Sequence, residues 1–315
     1  MRAEGSVYGK PKTHVHVQSI NEEDNMIKGS IVAIVTPFKD GRIDEKALGD
    51  LIEWHISSGT NAIVPCGTTG ESATLDYEEH YRVIELTVNA VNKRVPVIAG
   101  TGANATDETV MITKKAKELG ADAALLVSPY YNKPTQEGLY RHYKTVAEAV
   151  DIPIVLYNVP GRTAVNILPS TVARLAEVNN IVAIKEATGD MKQVSEVMRL
   201  CGNRMAVLSG DDFTTLPLLA LGGQGVISVS ANVAPREVSE MCRLWEEARY
   251  GDAREIHFRL EPINNAMFIE TNPIPAKTAL AMMGKIKEEF RLPLCEMSEA
   301  NREKLKRTLK DFSLI

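Results

Sequence analysis

Lys185 is the residue whose type and place most invite chemistry. It ends the apolar run Ile181-Val182-Ala183-Ile184 and is followed by Glu186. Two readings stand for such a lysine. Its stem can follow the strand end and leave the ammonium in water. If the alternation set by Val182 and Ile184 holds, it instead points inward, where a desolvated lysine can serve as a Schiff-base nucleophile. Tyr157 stands next to last in the run 154–158. It reads either as a packed core tyrosine with a satisfied hydroxyl or as a general acid/base beside the lysine. Thr68 and Thr69 lie in the turn Gly67-Thr68-Thr69-Gly70, where hydroxyls and backbone N–H groups can bind a carboxylate or merely cap the turn. Arg162, in Pro160-Gly161-Arg162-Thr163, can fork onto a carboxylate or stand solvated in its loop.

Metal chemistry has little support in the sequence. The histidines are His14, His16, His55, His80, His142 and His257, and none belongs to an HExxH-type ligand set. Asp211-Asp212 reads as a helix N-cap before Phe213 rather than a cation site. No metal and no cofactor is therefore expected. Carbanion chemistry in such a chain needs another electron sink, and a lysine imine supplies one.

Eight apolar runs must position these groups: residues 30–38, 62–66, 95–100, 123–128, 154–158, 181–185, 205–209 and 225–230. Each is continuous rather than alternating, as in parallel strands buried on both faces. Amphipathic segments lie between them. Asp44 reads as a cap ahead of Leu48, Leu51, Ile52 and Ile56, with Gly59 beyond the end. Asp76 and Glu79 form a capping box. Further helices are expected over 107–119, 135–150, 169–178, 191–200, 213–221 and 235–250.

Eight βα units in series predict an α/β fold, a (β/α)8 TIM barrel over residues 26–250. An open doubly wound sheet would want a glycine-rich loop after its first strand, and that position reads Thr36-Pro37-Phe38-Lys39. In a barrel the catalytic groups come from the C-terminal strand ends. That rule selects Thr36, Gly67 to Glu71, Gly100-Thr101-Gly102, Tyr130-Tyr131-Asn132, Tyr157-Asn158 running into Gly161-Arg162, Lys185-Glu186 and Ser209-Gly210-Asp211-Asp212. After Tyr250 the strand signal vanishes, and 254–269, 275–287 and 298–310 read as helices of a C-terminal appendage over 251–315. Residues 1–25 read as a flexible N-terminal extension, with no apolar core of a signal peptide.

Composition narrows the function classes. With 36 basic against 41 acidic residues the net charge is −5, and 44% hydrophobic with 24% charged residues is globular. No basic run and 5% aromatic residues argue against a nucleic-acid partner. Cys66, Cys201, Cys242 and Cys295 form no CxxC pair, which fits a reduced cytoplasmic protein. The stretch 213–235 carries no charge, but Pro217, Gly222, Gly223 and Gly225 make it a helix, a turn and a buried strand, not a membrane span.

Four strings carry a resemblance: Gly67-Thr68-Thr69-Gly70-Glu71-Ser72, Ser128-Pro129-Tyr130-Tyr131-Asn132-Lys133-Pro134, Tyr157-Asn158-Val159-Pro160-Gly161-Arg162-Thr163 and Ile184-Lys185-Glu186-Ala187. Together, in this order, they resemble the dihydrodipicolinate synthase family of pyruvate-dependent class I aldolases, over about residues 26–315. The resemblance implies a lyase in which pyruvate forms an imine on Lys185. Its enamine attacks L-aspartate 4-semialdehyde to give 4-hydroxy-tetrahydrodipicolinate, on the way to diaminopimelate and lysine. It implies a proton relay of Tyr157, Thr69 and Tyr131, the last reaching into a neighbouring subunit's site. Thr68, Thr69, Gly210 and the backbone at Ile227 are implied on the pyruvate side, and Arg162 on the semialdehyde carboxylate. It also implies a homotetramer, a dimer of dimers.

Positions matching the family's lysine-inhibition site are Ser72, Ala73, Tyr77, His80, Asn104, Glu108 and Tyr130. Tyr77 departs from the pattern, since lysine-sensitive enterobacterial members carry histidine there. The extension before Met26 also has no counterpart. N-acetylneuraminate lyase and the 2-keto-3-deoxy sugar acid aldolases share barrel, lysine and tyrosine, but the Thr68-Thr69 pair and Arg162 favour the synthase. A catalytically silent barrel acting as a binding protein would not need lysine, both tyrosines and the threonine pair together.

Overall fold

Interior and exterior alternate along every strand of the sheet, and this gives the molecule two concentric apolar layers. The structure is a computed structural model and describes residues 27–315. The predicted extension 1–25, with His14 and His16, lies outside the described residues. The barrel strands are β1 Gly29–Ala33, β2 Ala62–Val64, β3 Ile98–Gly100, β4 Ala123–Val127, β5 Ile154–Asn158, β6 Ile181–Glu186, β7 Ala206–Ser209 and β8 Gly225–Ser228. All neighbours are parallel, in the order β2-β1-β8-β7-β6-β5-β4-β3. The two ends of this sheet meet at a parallel bridge between Ile63 and Val97. There the Ile63 N–H donates to the Pro96 carbonyl at 3.0 Å and the Gly100 N–H to the Pro65 carbonyl at 2.9 Å. The expected (β/α)8 barrel is the fold observed.

The inner layer contains Ile31, Ala33, Val64, Leu125, Val155, Tyr157, Ala183, Leu208 and Ile227. Val32, Ile63, Leu126, Leu156, Ile184 and Val207 face outward into the helices. This is why the strands read as unbroken apolar runs. It also fixes Lys185, which lies two residues after the inward Ala183 and therefore shares its side.

The ring helices are α1 Glu45–Ser57, α2 Tyr77–Val91, α3 Thr106–Glu118, α4 Gln136–Ala149, α5 Pro169–Leu175, α6 Met191–Cys201, α7 Thr215–Ala220 and α8 Pro235–Glu246. The Asp44 carboxylate accepts from the Ala47 N–H at 3.0 Å, and Asp76 with Glu79 closes the expected capping box. The uncharged stretch 213–235 divides into α7, a glycine turn and β8 as read from its residues. Among the described residues, no helix is long and apolar enough to cross a membrane.

Two expectations need correction. The first run, 30–38, does not stay in the barrel. β1 stops at Ala33, and Phe38–Lys39 pairs antiparallel with Arg42–Ile43 around Asp40 and Gly41, both at positive φ. The apolar Ile34, Val35 and Phe38 are buried as loop residues, so burial alone had lengthened the strand. The appendage comprises α9 Tyr250–Met267, α10 Ile274–Met282 and α11 Glu299–Asp311. The middle helix stops short of the expected 287, with Gly284 at positive φ just past its end. These helices share one core with the barrel: Leu260, Ile263, Met267, Leu305 and Leu309 join Leu48, Leu51, Ile52 and Ile84.

Candidate active site

β5 and β6 bring two candidate residues together directly. Tyr157 is the cross-strand partner of Lys185, and Asn158 is that of Glu186. Lys185 is 4% exposed, and its Nζ lies 4.1 Å from the centre of the Tyr157 ring. The ammonium thus stays inside, against the face of an aromatic ring. Glu186 points to the opposite side. Its carboxylate accepts from the Thr188 N–H at 2.9 Å, from Asn158 Nδ2 at 3.2 Å and from Gln193 Nε2 at 3.2 Å. Burial pushes this carboxyl above its usual range, opposed by those hydrogen bonds.

Gly210, at the end of β7, leaves room for the lysine. A Cβ there would meet the Ala187 Cβ at 2.7 Å and the Lys185 Cε and Cγ at 3.0 Å. The acidic pair that follows divides its work. Asp211 provides the expected cap, accepting from the Phe213 N–H at 3.2 Å. Asp212 is buried instead and accepts from the Ser228 hydroxyl, the Val229 N–H at 3.0 Å and the Ser230 N–H at 3.1 Å. It thereby fastens the end of β8, where Ile227 is fully buried. Among the described residues no group of three or more His, Cys, Asp or Glu side chains is placed to hold a metal.

The threonine turn is folded on itself. The Gly70 N–H donates to the Gly67 carbonyl at 3.0 Å, and the Glu71 N–H to the Thr68 carbonyl at 3.1 Å. Thr36 donates its hydroxyl to the Gly70 carbonyl at 2.7 Å. A Cβ on Gly70 would come within 3.2 Å of the Cys66 nitrogen and the Ile34 carbonyl, so the tight approach favours glycine. Thr68 is partly exposed, while Thr69 is buried. The Thr69 Oγ1 accepts from Asn272 Nδ2 at 3.0 Å. Arg162 lies on the one-turn helix Pro160–Thr163 and is exposed, and its Nη2 donates to the Asn272 carbonyl at 3.2 Å.

Sequence reasoning missed Asn272. It sits in a segment read as appendage, and no motif marks it. The same segment contributes Lys277, which forms a fully buried ion pair with Glu71.

Tyr131 is not brought into this cluster within the chain. It is 89% exposed, and its backbone has a φ of 73°, unusual for a bulky residue. The positions matched to the lysine site lie near one another in two pairs. Tyr77 donates its hydroxyl to Glu108 Oε1 at 3.0 Å, and Asn104 Nδ2 donates to the Tyr130 carbonyl at 3.3 Å. Ser72 and Ala73 start the 3₁₀ turn Ser72–Thr74. His80 is buried with Nε2 2.8 Å from the Gly100 carbonyl, and burial lowers its pKa.

A closed parallel barrel that gathers a buried lysine, a tyrosine and a tight threonine turn at its C-terminal mouth is the architecture of a barrel enzyme. Comparison with known proteins narrows this. The description of the Dihydrodipicolinate synthetase family matches residues 26–312. A relative from Thermodesulfovibrio yellowstonii, named 4-hydroxy-tetrahydrodipicolinate synthase, is 71% identical over 290 residues, covering 92% of this chain and 100% of the relative. The crystal structure of dihydrodipicolinate synthase from Aquifex aeolicus superposes with a TM-score of 0.90 at 56% identity, covering 91% of this chain and 99% of that one. The chloride-inhibited dihydrodipicolinate synthase from Acinetobacter baumannii, complexed with pyruvate, gives a TM-score of 0.90 at 53% identity, covering 92% and 100%. The chain belongs to the dihydrodipicolinate synthetase family.

Proposed function

We infer that this protein condenses pyruvate with L-aspartate 4-semialdehyde to 4-hydroxy-tetrahydrodipicolinate, through an imine on Lys185. The observation that carries the reading is the buried Lys185 ammonium set against Tyr157 at the barrel mouth. The Lys185 ammonium first gives up a proton; the free amine adds to the pyruvate ketone carbon, and loss of water leaves the imine. The protonated imine draws electrons from the methyl carbon, which loses a proton and becomes the enamine nucleophile. That carbon attacks the semialdehyde carbonyl. The semialdehyde's own amino group then attacks the imine carbon, closing the ring and freeing the Lys185 amine. The protons need a carrier, and Tyr157 with Thr69 supplies it in this reading.

Both substrates carry carboxylates. Thr68, Thr69 and the backbone at Gly210 and Ile227 take the pyruvate carboxylate, and Arg162 takes that of the semialdehyde. Tyr131 completes the relay in a second copy of the chain, within a homotetramer built as a dimer of dimers. A large, open tyrosine on a left-handed backbone supports that role. The protein works in the cytoplasm, and four free thiols support a reducing compartment. The Tyr77 hydroxyl engages Glu108 in the set matched to lysine inhibition, so the reading does not extend to feedback control.

A purified sample given pyruvate and L-aspartate 4-semialdehyde should form the cyclic product far faster than it cleaves N-acetylneuraminate. The reverse ratio would make the protein a sugar-acid lyase of the same fold.

A further inference from the structure

We propose that Asn272 is a positioning residue of the pyruvate site, and that it sets the direction in which the Thr69 hydroxyl donates. The proposal rests on the reading of Thr69 as a carboxylate contact. Asn272 is 5% exposed and lies just ahead of α10, far from the barrel strands in sequence. Its Nδ2 donates to Thr69 Oγ1 at 3.0 Å. A threonine hydroxyl has one proton and two lone pairs. Because its oxygen already receives a proton from Asn272, its own proton is free for a ligand. The Asn272 backbone carbonyl meanwhile accepts from Arg162 Nη2 at 3.2 Å. One residue thus touches the groups assigned to both substrate carboxylates.

The orientation of the amide follows from its surroundings. Among the described residues the Asn272 Oδ1 is buried without a partner. Turning the amide over would present that oxygen to Thr69, consume the threonine's proton and leave a buried NH2 with two unmet donors. The observed orientation leaves the oxygen and one N–H unmet, but it keeps the threonine's proton for the ligand.

A second contact holds Asn272 in register with the turn. Glu71, two residues beyond Thr69, forms a fully buried ion pair with Lys277, on the first turns of α10. The other Glu71 oxygen accepts from the Arg291 N–H at 3.2 Å. The Lys277 Nζ also lies 4.2 Å from the centre of the Phe38 ring. Apolar residues of similar size would often be no less stable in such a place, so the retained pair fits a role in fixing position. The threonine turn is therefore gripped twice by one C-terminal segment, at residue 69 and at residue 71.

The test separates donor direction from mere support. Asn272→Ala removes the hydrogen bond. Asn272→Asp keeps the shape, but an ionised carboxylate can only accept, so Thr69 must turn its proton away from the ligand. Both variants are titrated with pyruvate alone, and the imine is trapped with borohydride. Half-saturating pyruvate should rise about tenfold or more in the aspartate variant and less in the alanine variant. The aspartate variant should melt below the parent at neutral pH, because it buries a carboxylate without a cation, so saturation is measured well below its melting range. Lowering the pH should narrow its defect, because a protonated carboxyl can donate again. Equal saturation of parent and aspartate variant would overturn the proposal. So would the opposite order, with alanine worse than aspartate and both following their loss in melting temperature. A parent protein that traps no pyruvate is a separate result and overturns the imine reading itself.

Discussion

Tyr157 and Lys185 face each other across β5 and β6 on the inner side of the barrel, and one residue further Asn158 and Glu186 hydrogen-bond to each other on the outer side. The outer contact ties the strand ends together and so holds the inner pair at its spacing. Tyr157→Phe keeps the ring beside the ammonium and removes only the hydroxyl. Turnover should fall by about 10²–10⁴ with an unchanged melting temperature, measured by steady-state condensation. An unaffected rate would remove Tyr157 from the proton transfers.

Gly210→Ala should displace the Lys185 side chain. The new methyl would sit 3.0 Å from two carbons of the Lys185 side chain and 2.7 Å from the Ala187 Cβ. Something must shift: the lysine chain can swing aside, while relief of the nearer Ala187 contact also moves the strand ends. The trapped pyruvate adduct should form at least about tenfold more slowly, since small misplacements of a reacting group are costly. Adduct formation at the parent rate would show that the lysine has room to spare.

The buried Glu71–Lys277 pair predicts an asymmetric stability pattern. Lys277→Met leaves the Glu71 carboxylate buried without its cation and should cost about 3–5 kcal/mol in denaturant unfolding. Adding Glu71→Gln should return most of that loss. A double variant as unstable as the single one would mean that packing, not charge, holds α10 to the threonine turn.

Acid should destabilise the protein through its buried histidines. Burial pushes His142 down to about 4 and His55 down to about 3, and among the described residues each ring keeps an unpartnered buried Nε2. An unfolded histidine titrates near about 6.5. Below that value the unfolded chain binds more protons than the folded one, so stability present at neutral pH is lost as pH falls towards 4. By about pH 5 each histidine accounts for about 2 kcal/mol. Glu186 and Asp212 act in the opposite sense, because burial raises their pKa values. The comparison of parent with His142→Gln therefore isolates one group. The variant should lose less stability between pH 7 and 5, and parallel curves would contradict the assignment.

The barrel was readable because its strands are buried on both faces, and each such strand prints a short unbroken apolar run. The same signal misled at residues 34–38, where loop residues are as buried as strand residues. Lys185 was ambiguous from its own run, and its direction followed once Ala183 was seen in the inner layer. Asn272 was not readable at all. Its partners, Thr69 and Arg162, lie 203 and 110 residues away in sequence, and a contact of that range leaves no local pattern. Lys277 was hidden for the same reason, inside what read as one more helix of the appendage. The division of Asp211 from Asp212 was half legible. The cap was expected, but the buried carboxylate holding the end of β8 depends on a strand brought alongside only by closure of the barrel.

The central claim is that Lys185 is the amine that takes up pyruvate. Borohydride reduction in the presence of pyruvate, followed by peptide mass spectrometry, tests it most directly. The account predicts one reduced pyruvyl adduct per chain, on Lys185, with loss of activity in step, and none in Lys185→Arg, whose guanidinium is not a usable nucleophile. An adduct on another lysine, or full activity with none formed, would contradict it.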